Sequence, residues 1–371
     1  MKKISTVSHA DLPTSSERSV LSALLRSGAV ARSEVTSLTN LSQQSVHRIV
    51  DTLERRKFLK LRDSETRGRG KPSPNVTIDT QHYSSIGISI GTEEIRVCAM
   101  DLAGQPIAED TLSVDPGDPD KVRDAFEEKL EFWLSGVLEQ SVILGIGVAI
   151  QGHGIEKPGF YLTPTPLAAW ANVPLAEFFG SHLGLAAFSE NNATCSATAE
   201  FYLGIGSSKR CLAYLSFNYG FGAGLFVDGD AFRGGHGNAG EISSIYDVDQ
   251  ARTRPALGEL VQRIDEQTKG NSTVRELVAN FDPDNAVVLN WLDEVTPQLC
   301  LALRALKAVA DPNIIIFGGE APESLKKLLI ERSANAFAAQ TSPSPLLVSS
   351  KIPYDPAHLG AALLPQHRMI F

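Results

Sequence analysis

Residues 188–200, FSENNATCSATAE, constrain the fold more than any other stretch of this chain. An apolar run leads into the polar corner Glu190, Asn191, Asn192 and Thr194, and the small residues from Cys195 to Ala199 continue as a helix. A strand that turns directly into a helix is the unit of an α/β domain, and side chains at such a corner point into the crevice at the strand's carboxyl end. The corner is the expected ligand site. Two further runs fit the same class: residues 142–151 (VILGIGVAIQ), running to Gly152 and Gly154, and residues 311–319 (DPNIIIFGG), ending in two glycines. Both read as buried strands. At 371 residues the chain exceeds what one hydrophobic core usually serves, so two or three domains are expected.

Charge divides the chain. Residues 1–80 carry 14 Lys and Arg against 8 Asp and Glu, the remainder 20 against 35, and the total is -9. A basic front on an acidic body points to an anionic partner for the front, nucleic acid first. Residues 1–18 are polar, contain Pro13, and read as a flexible arm. From Ser19, Val20, Leu21, Leu24 and Leu25 have helical spacing up to Gly28; Ser33 is placed to cap a short helix over 34–38. Ser42 is the natural cap of a third helix, whose stripe of Val46, Ile49, Val50 and Leu53 leaves Ser42, Gln43, Gln44, Ser45 and Arg48 on its exposed amino-terminal half. Residues 60–78 then read as a strand, a basic glycine-rich tip and a returning strand. The span 19–78 resembles a winged helix-turn-helix with Arg67, Arg69 and Lys71 on the wing. A helix presents Gln and Arg to base edges in the major groove while wing cations meet phosphates, so double-stranded operator DNA is the expected partner. A protein-binding module is the alternative for the same elements.

In the body, residues 85–100 read as two strands around Gly91-Thr92, residues 122–138 and 175–183 as helices, and residues 212–217 and 223–228 as paired strands about Asn218-Tyr219-Gly220. Helices over 294–310 and 358–364 and a strand over 345–353 complete the reading. With Trp170, residues 173–179 (VPLAEFF) and residues 237–241 (GNAGE), the corner at Asn191 resembles the sugar-binding half of the ROK family, which mixes sugar kinases and sugar-responsive repressors. The chain looks like its repressors of the N-acetylglucosamine/xylose type. The resemblance implies an α/β fold: an N-terminal winged helix-turn-helix followed by a two-lobed actin-like/RNase H-like sugar kinase fold. The expected units are an arm over 1–18, the DNA-binding domain over 19–80, a first lobe over 81–200 joined by a helix in 355–371, and a second lobe over 201–354, with the sugar cleft between lobes.

The resemblance also assigns roles, and departures from it carry information. Where a ROK kinase has Asn-Asp, whose aspartate takes the proton from the attacked hydroxyl, this chain has Asn191-Asn192, and a carboxamide is not a useful proton acceptor. Where the family's DIGGT hairpin approaches ATP phosphates, Ser89, Ile90, Gly91, Thr92 and Glu93 stand, and a carboxylate there repels phosphate. Tyr219 falls within the second phosphate turn. The family's Gly-Glu-x-Gly-His becomes Gly240-Glu241-Ile242-Ser243-Ser244, keeping the sugar-binding carboxylate and losing the histidine, for which His236 is either a substitute or a surface residue of the loop. Residues 253–260, TRPALGEL, replace a cysteine-rich zinc loop, with Glu259 offered for its last sugar-contacting glutamate. Expected ligand residues are therefore Asn191, Asn192, Glu241, Ser244 and Gly152; no catalytic residue, zinc or ATP is expected.

A sugar or sugar-phosphate effector, a homodimer or homotetramer and no enzymatic activity follow from the same resemblance. A bifunctional sugar kinase and a regulator answering to a protein partner are the alternatives. The four cysteines are scattered without CxxC spacing, so neither a disulfide framework nor a cysteine zinc cluster is indicated, and buried free thiols are expected. No apolar run reaches the roughly 18 residues of a membrane span, and the lysines at the start are followed by no apolar segment, so a cytoplasmic protein is expected.

Overall fold

The computed structural model describes residues 4–62, 74–339 and 341–371. The front unit runs α1 (Ser15–Ser27), β1 (Val30–Ala31), α2 (Val35–Leu38), α3 (Gln43–Arg55), β2 (Leu59–Arg62) and β3 (Asn75–Ile78), with the strands ordered β1-β3-β2. The expected wing pairing holds: Leu59 faces Ile78 in an antiparallel register. Three details differ from the sequence reading. Thr14 caps α1 through a reciprocal capping box with Glu17, so residues 15–18 belong to the helix and not to an arm. Thr6 bridges to Ile143 of the body, which ties the preceding residues down as well. Ser33 does not cap α2; Glu34 holds the cap position, and its carboxylate accepts instead from the Ala31 N–H.

The body contains two five-stranded sheets of the same topology. The first is a meander of β4 (Tyr83–Ile90), β5 (Ile95–Asp101) and β6 (Pro106–Leu112), extended by β7 (Val142–Ile150) and β10 (Ala187–Asn191) in the order β10-β7-β4-β5-β6. The second is a meander of β11 (Cys211–Phe217), β12 (Phe221–Val227) and β13 (Asp230–Ala231), extended by β14 (Ile314–Gly319) and β15 (Leu346–Ser349) in the order β13-β12-β11-β14-β15. In both, the meander is antiparallel and the added strands are parallel. Parallel additions need crossover helices, here α4 (Pro119–Leu134) and α5 (Leu175–Leu183) in the first lobe and α7 (Leu257–Thr268), α8 (Val274–Ala279), α9 (Ala286–Ala310) and α10 (Glu323–Ser333) in the second. A small hairpin of β8 (His153–Gly154) and β9 (Tyr161–Leu162) stands over the cleft.

Helix α6 (Asn192–Tyr202) and the last helix, α11 (Ala357–Met369), pack against each other, α11 lying on β4 and β7. That contact explains two strand glycines. A Cβ at Gly87 would meet the His358 carbonyl at 2.1 Å, and one at Gly147 the Ala361 carbonyl at 1.8 Å. Trp170, which the sequence groups with the sugar site, is instead fully buried in the first lobe's core, its Nε1 donating to the Pro116 carbonyl.

The far end of α11 reaches the front unit. Ile370 is buried in one cluster with Val20, Leu21, Val50 and Phe58 of the winged helix and Tyr83, Leu102 and Leu144 of the first lobe. Phe58 stacks on Tyr83, and Arg18 donates to the carbonyls of Arg368 and Met369. The front unit therefore shares a core with the body.

Candidate functional site

The corner forms as its residues dictate. Asn191 caps α6, its Oδ1 accepting from the N–H groups of Ala193 (2.7 Å) and Thr194 (3.2 Å). Its Nδ2 donates to the Gly152 carbonyl (2.5 Å) and to Glu241 Oε1 (3.3 Å). One carboxamide thus joins a helix start, the loop after β7 and a carboxylate from the other lobe. A cavity of ≈ 360 Å³ opens there, walled by Gln151, Gly152, Asn191, Asn192, Glu241 and Arg254 among others. Burial pushes the Glu241 carboxyl up to about 7, since no cation compensates its loss of water. The Ser216 hydroxyl, 3% exposed on the same wall, has no hydrogen-bond partner.

Four of the five sequence-derived ligand residues, Asn191, Asn192, Glu241 and Gly152, meet at this cavity. Ser244 does not: it is exposed, and its N–H donates to the carbonyl of Glu241. Residues 242–245 form a 3₁₀ turn, in which neighbours are about 120° apart, so Ser243 takes the wall position. Glu259 is also displaced from its expected role. It pairs with Arg254 at 3.1 Å, and Arg254 is the side chain that reaches the cavity. His236 is exposed.

Asp355 was not legible as a site residue. Its carboxylate accepts from Asn192 Nδ2 (3.4 Å), Asn218 Nδ2 (2.6 Å) and Ser196 Oγ (2.5 Å), joining residues up to 163 positions apart. Asn218 also accepts, through Oδ1, from the Glu320 N–H. The two glycines ending β14 have packing reasons: a Cβ at Gly318 would overlap the Tyr214 ring, and one at Gly319 would lie 2.3 Å from Asn218 Oδ1.

Beyond Gln151 the cleft continues into a second cavity of ≈ 300 Å³, between the β4–β5 turn and α8. Glu93, at that turn, accepts from the N–H groups of Val274 (2.6 Å) and Arg275 (2.8 Å) at the start of α8. Thr273 and Glu276 satisfy each other's N–H in a capping box. All four leading N–H groups of this helix are thereby bonded within the chain. Among the described residues no cluster of histidine, cysteine, aspartate or glutamate is arranged to hold a metal ion.

In the front unit, Ser42 caps α3 by accepting from the Ser45 N–H, and Val46, Ile49, Val50 and Leu53 are buried as the stripe requires. Ser42, Gln43, Gln44 and Arg48 are exposed, and Ser45 is half-buried with its hydroxyl 2.9 Å from that of Ser42. Arg67, Arg69 and Lys71 lie outside the described residues.

A model of the ROK family matches residues 85–253, and one of the MarR family matches residues 10–70. Residues 85–253, in the body, are thus a ROK-family region. The front is a MarR-like winged helix-turn-helix. The chain is similar to the xylose repressor of Caldicellulosiruptor bescii, 27% identical over 290 residues that cover 75% of this chain and 70% of that protein. Among solved structures, a ROK family transcriptional regulator described as a homolog of the E. coli MLC protein superposes with a TM-score of 0.74 at 18% identity, covering 97% of this chain and 96% of its own. The ROK hexokinase of Thermus thermophilus superposes with a TM-score of 0.61 at 20% identity and covers 76% of this chain and 97% of its own. The body is therefore a ROK sugar-kinase-like fold, and the front unit extends it. No helix among the described residues is long and apolar enough to cross a membrane.

Proposed function

We propose that this protein is a DNA-binding transcriptional repressor of carbohydrate-metabolism genes, whose kinase-like body binds a sugar or sugar derivative and transfers no phosphate. One observation carries the reading. An exposed helix of the winged front and a sugar-sized cavity stand in one chain, and Asn192, which the family resemblance sets where a kinase has its base, has its amide spent on Asp355. A carboxamide takes no proton at neutral pH. Glu241 supplies the acceptor for sugar hydroxyls, and Asn191 holds it in place. The likeness to a protein named a xylose repressor supports a sugar as effector.

Operator contacts fall to Gln43, Gln44, Ser45 and Arg48 on the recognition helix and, on the sequence alone, to Arg67, Arg69 and Lys71 on the wing. A dimer presents two such helices to symmetric half-sites. Ligand controls DNA binding only by preferring one lobe arrangement, and the shared core of α11, the first lobe and the winged helix gives that preference a route to the DNA-binding face.

The test is a thermal-shift screen against free sugars, sugar phosphates, polyols and ATP, followed by operator binding with each hit. Stabilisation by one sugar class without ATP, together with altered operator affinity, is the expected result. ATP stabilisation with ADP release overturns the non-enzymatic reading. Arg48→Ala is expected to lose about 1–3 kcal/mol of discrimination between operator and random DNA, and Arg69→Ala to weaken both alike.

A further inference from the structure

The ≈ 300 Å³ cavity on the far side of Gln151 has an uneven charge distribution. At its rim every charge is answered. Glu93 is bonded to the α8 N–H groups, and Glu94 pairs with Arg96 (2.8 Å) and, at 3.7 Å, with Arg275. At its floor two carboxyls, Glu320 and Asp355, have no ion-pair partner among the described residues. Asp355 is already satisfied by hydrogen bonds, whereas Glu320 receives a side-chain bond only from Gln151 Nε2, at 3.1 Å. Gln151 itself is 7% exposed, lines the cavity, and leaves its Oε1 without a partner. The walls between rim and floor are apolar: Val274, Val278, Pro353 and the ring of Tyr354.

Gln151 Oε1 without a donor and Glu320 with one side-chain donor, backed by a second carboxylate, call for a group that donates only and carries positive charge. An ammonium is such a group, with three donors and no acceptor. A phosphate or carboxylate would face the two carboxyl groups of the floor, and a neutral alcohol, unlike an ammonium, gains no ion pair when Glu320 gives up its proton. We propose that this cavity binds a small organic cation, a primary amine with a compact apolar body, whose ammonium lies between Glu320 and Gln151 and whose body rests on Val274, Val278 and Tyr354. The site is separate from the sugar cavity, shares Gln151 with it, and does not depend on the repressor reading.

Protonation follows from the setting. Burial, with Asp355, Glu93 and Glu94 nearby, pushes the Glu320 carboxyl up to about 8, so it holds its proton in the empty cavity at neutral pH. Arg96 and Arg275 stand at the rim and are engaged by Glu94. An arriving ammonium favours the carboxylate, and the displaced proton goes to solvent. Amine binding is therefore coupled to proton release.

The experiment is calorimetry on the full chain with cyclohexylamine, cyclohexanol and cyclohexanecarboxylate, each in two buffers of different ionisation enthalpy at pH 7 and pH 9. The amine alone is expected to bind, releasing close to one proton at pH 7 and far less at pH 9. Glu320→Gln is expected to weaken it at least tenfold and to abolish the buffer dependence. Ala279→Arg, at an exposed position on the rim, is expected to weaken it several-fold without disturbing the fold, and it decides the matter should Glu320→Gln not fold. Absence of amine binding at millimolar concentration, equal binding of cyclohexanol, or unchanged affinity in either folded variant would overturn the proposal.

Discussion

The two cavities that meet at Gln151 lie in one cleft, yet they differ in what they leave unmet. On the sugar side, among the described residues, Glu241 has Asn191 as its one side-chain partner and the Ser216 hydroxyl has none. On the far side, the hairpin carboxylate of Glu93 is bonded to the start of α8, and Asn218 is bonded to both Asp355 and the Glu320 N–H. The first region keeps unspent acceptors for a polyhydroxy ligand. The second has consumed, inside the protein, the donors an anion would need. A cavity can thus stay open and still disfavour an anion, because satisfied groups offer a phosphate nothing in exchange for its lost hydration.

The largest expected effect tests the sugar side. Glu241→Ala should weaken the sugar identified by thermal shift by tenfold or more while leaving operator affinity of the unliganded protein unchanged; retention of sugar affinity would remove Glu241 from the site. Next, Glu93→Ala should cost about 1–2 kcal/mol in urea unfolding, the range for a lost helix cap or charged hydrogen bond, because two α8 N–H groups lose their acceptor. An unchanged midpoint would show that Glu93 fills space without fastening the helix.

A pH series sharpens the contrast further. Glu241 and Glu320 are held at about 7 and about 8 in the fold, above the roughly 4.3 of an unfolded glutamate. The fold binds their protons more tightly, so their contribution to stability is full below the unfolded value and is lost as pH rises through each folded value. Tm of the unliganded protein should fall between pH 5 and about 8.5, and Glu320→Gln should flatten the upper part of that fall relative to the parent. The smallest change is expected from Asn192→Asp, which puts a carboxylate at position 192 but leaves Glu93 on α8; ADP release with sugar and ATP should stay at background.

Much of this was legible before any coordinates. The corner at Asn191, the strand of residues 142–151, the strand ending at Gly319 and the cap at Ser42 are local patterns: a period of two or of 3.6, a capping residue, a glycine after a strand. Glu241 and Asn191 could be named because a short motif carries them. Ser244 failed because a motif fixes order along the chain, and a 3₁₀ turn decides which of two neighbouring serines faces inward. Arg254 stood in a segment read for its missing cysteines and for Glu259, yet Arg254 is the one of the pair that lines the cavity. The arm over 1–18 read as polar and free, yet Thr6, Thr14 and Arg18 find partners in the body and in a helix start.

The sequence by itself determined the α/β class, the winged front, the corner that caps α6 and the absence of a carboxylate at position 192, because each depends on residues within a few positions of one another. Tertiary structure alone decided that Asp355 reaches Asn192 and Asn218, that Glu93 fastens α8, and that Ile370 joins the core of the winged helix. Those contacts span most of the chain. Their partners are chosen by how the two sheets and α11 pack, and no local period records that packing.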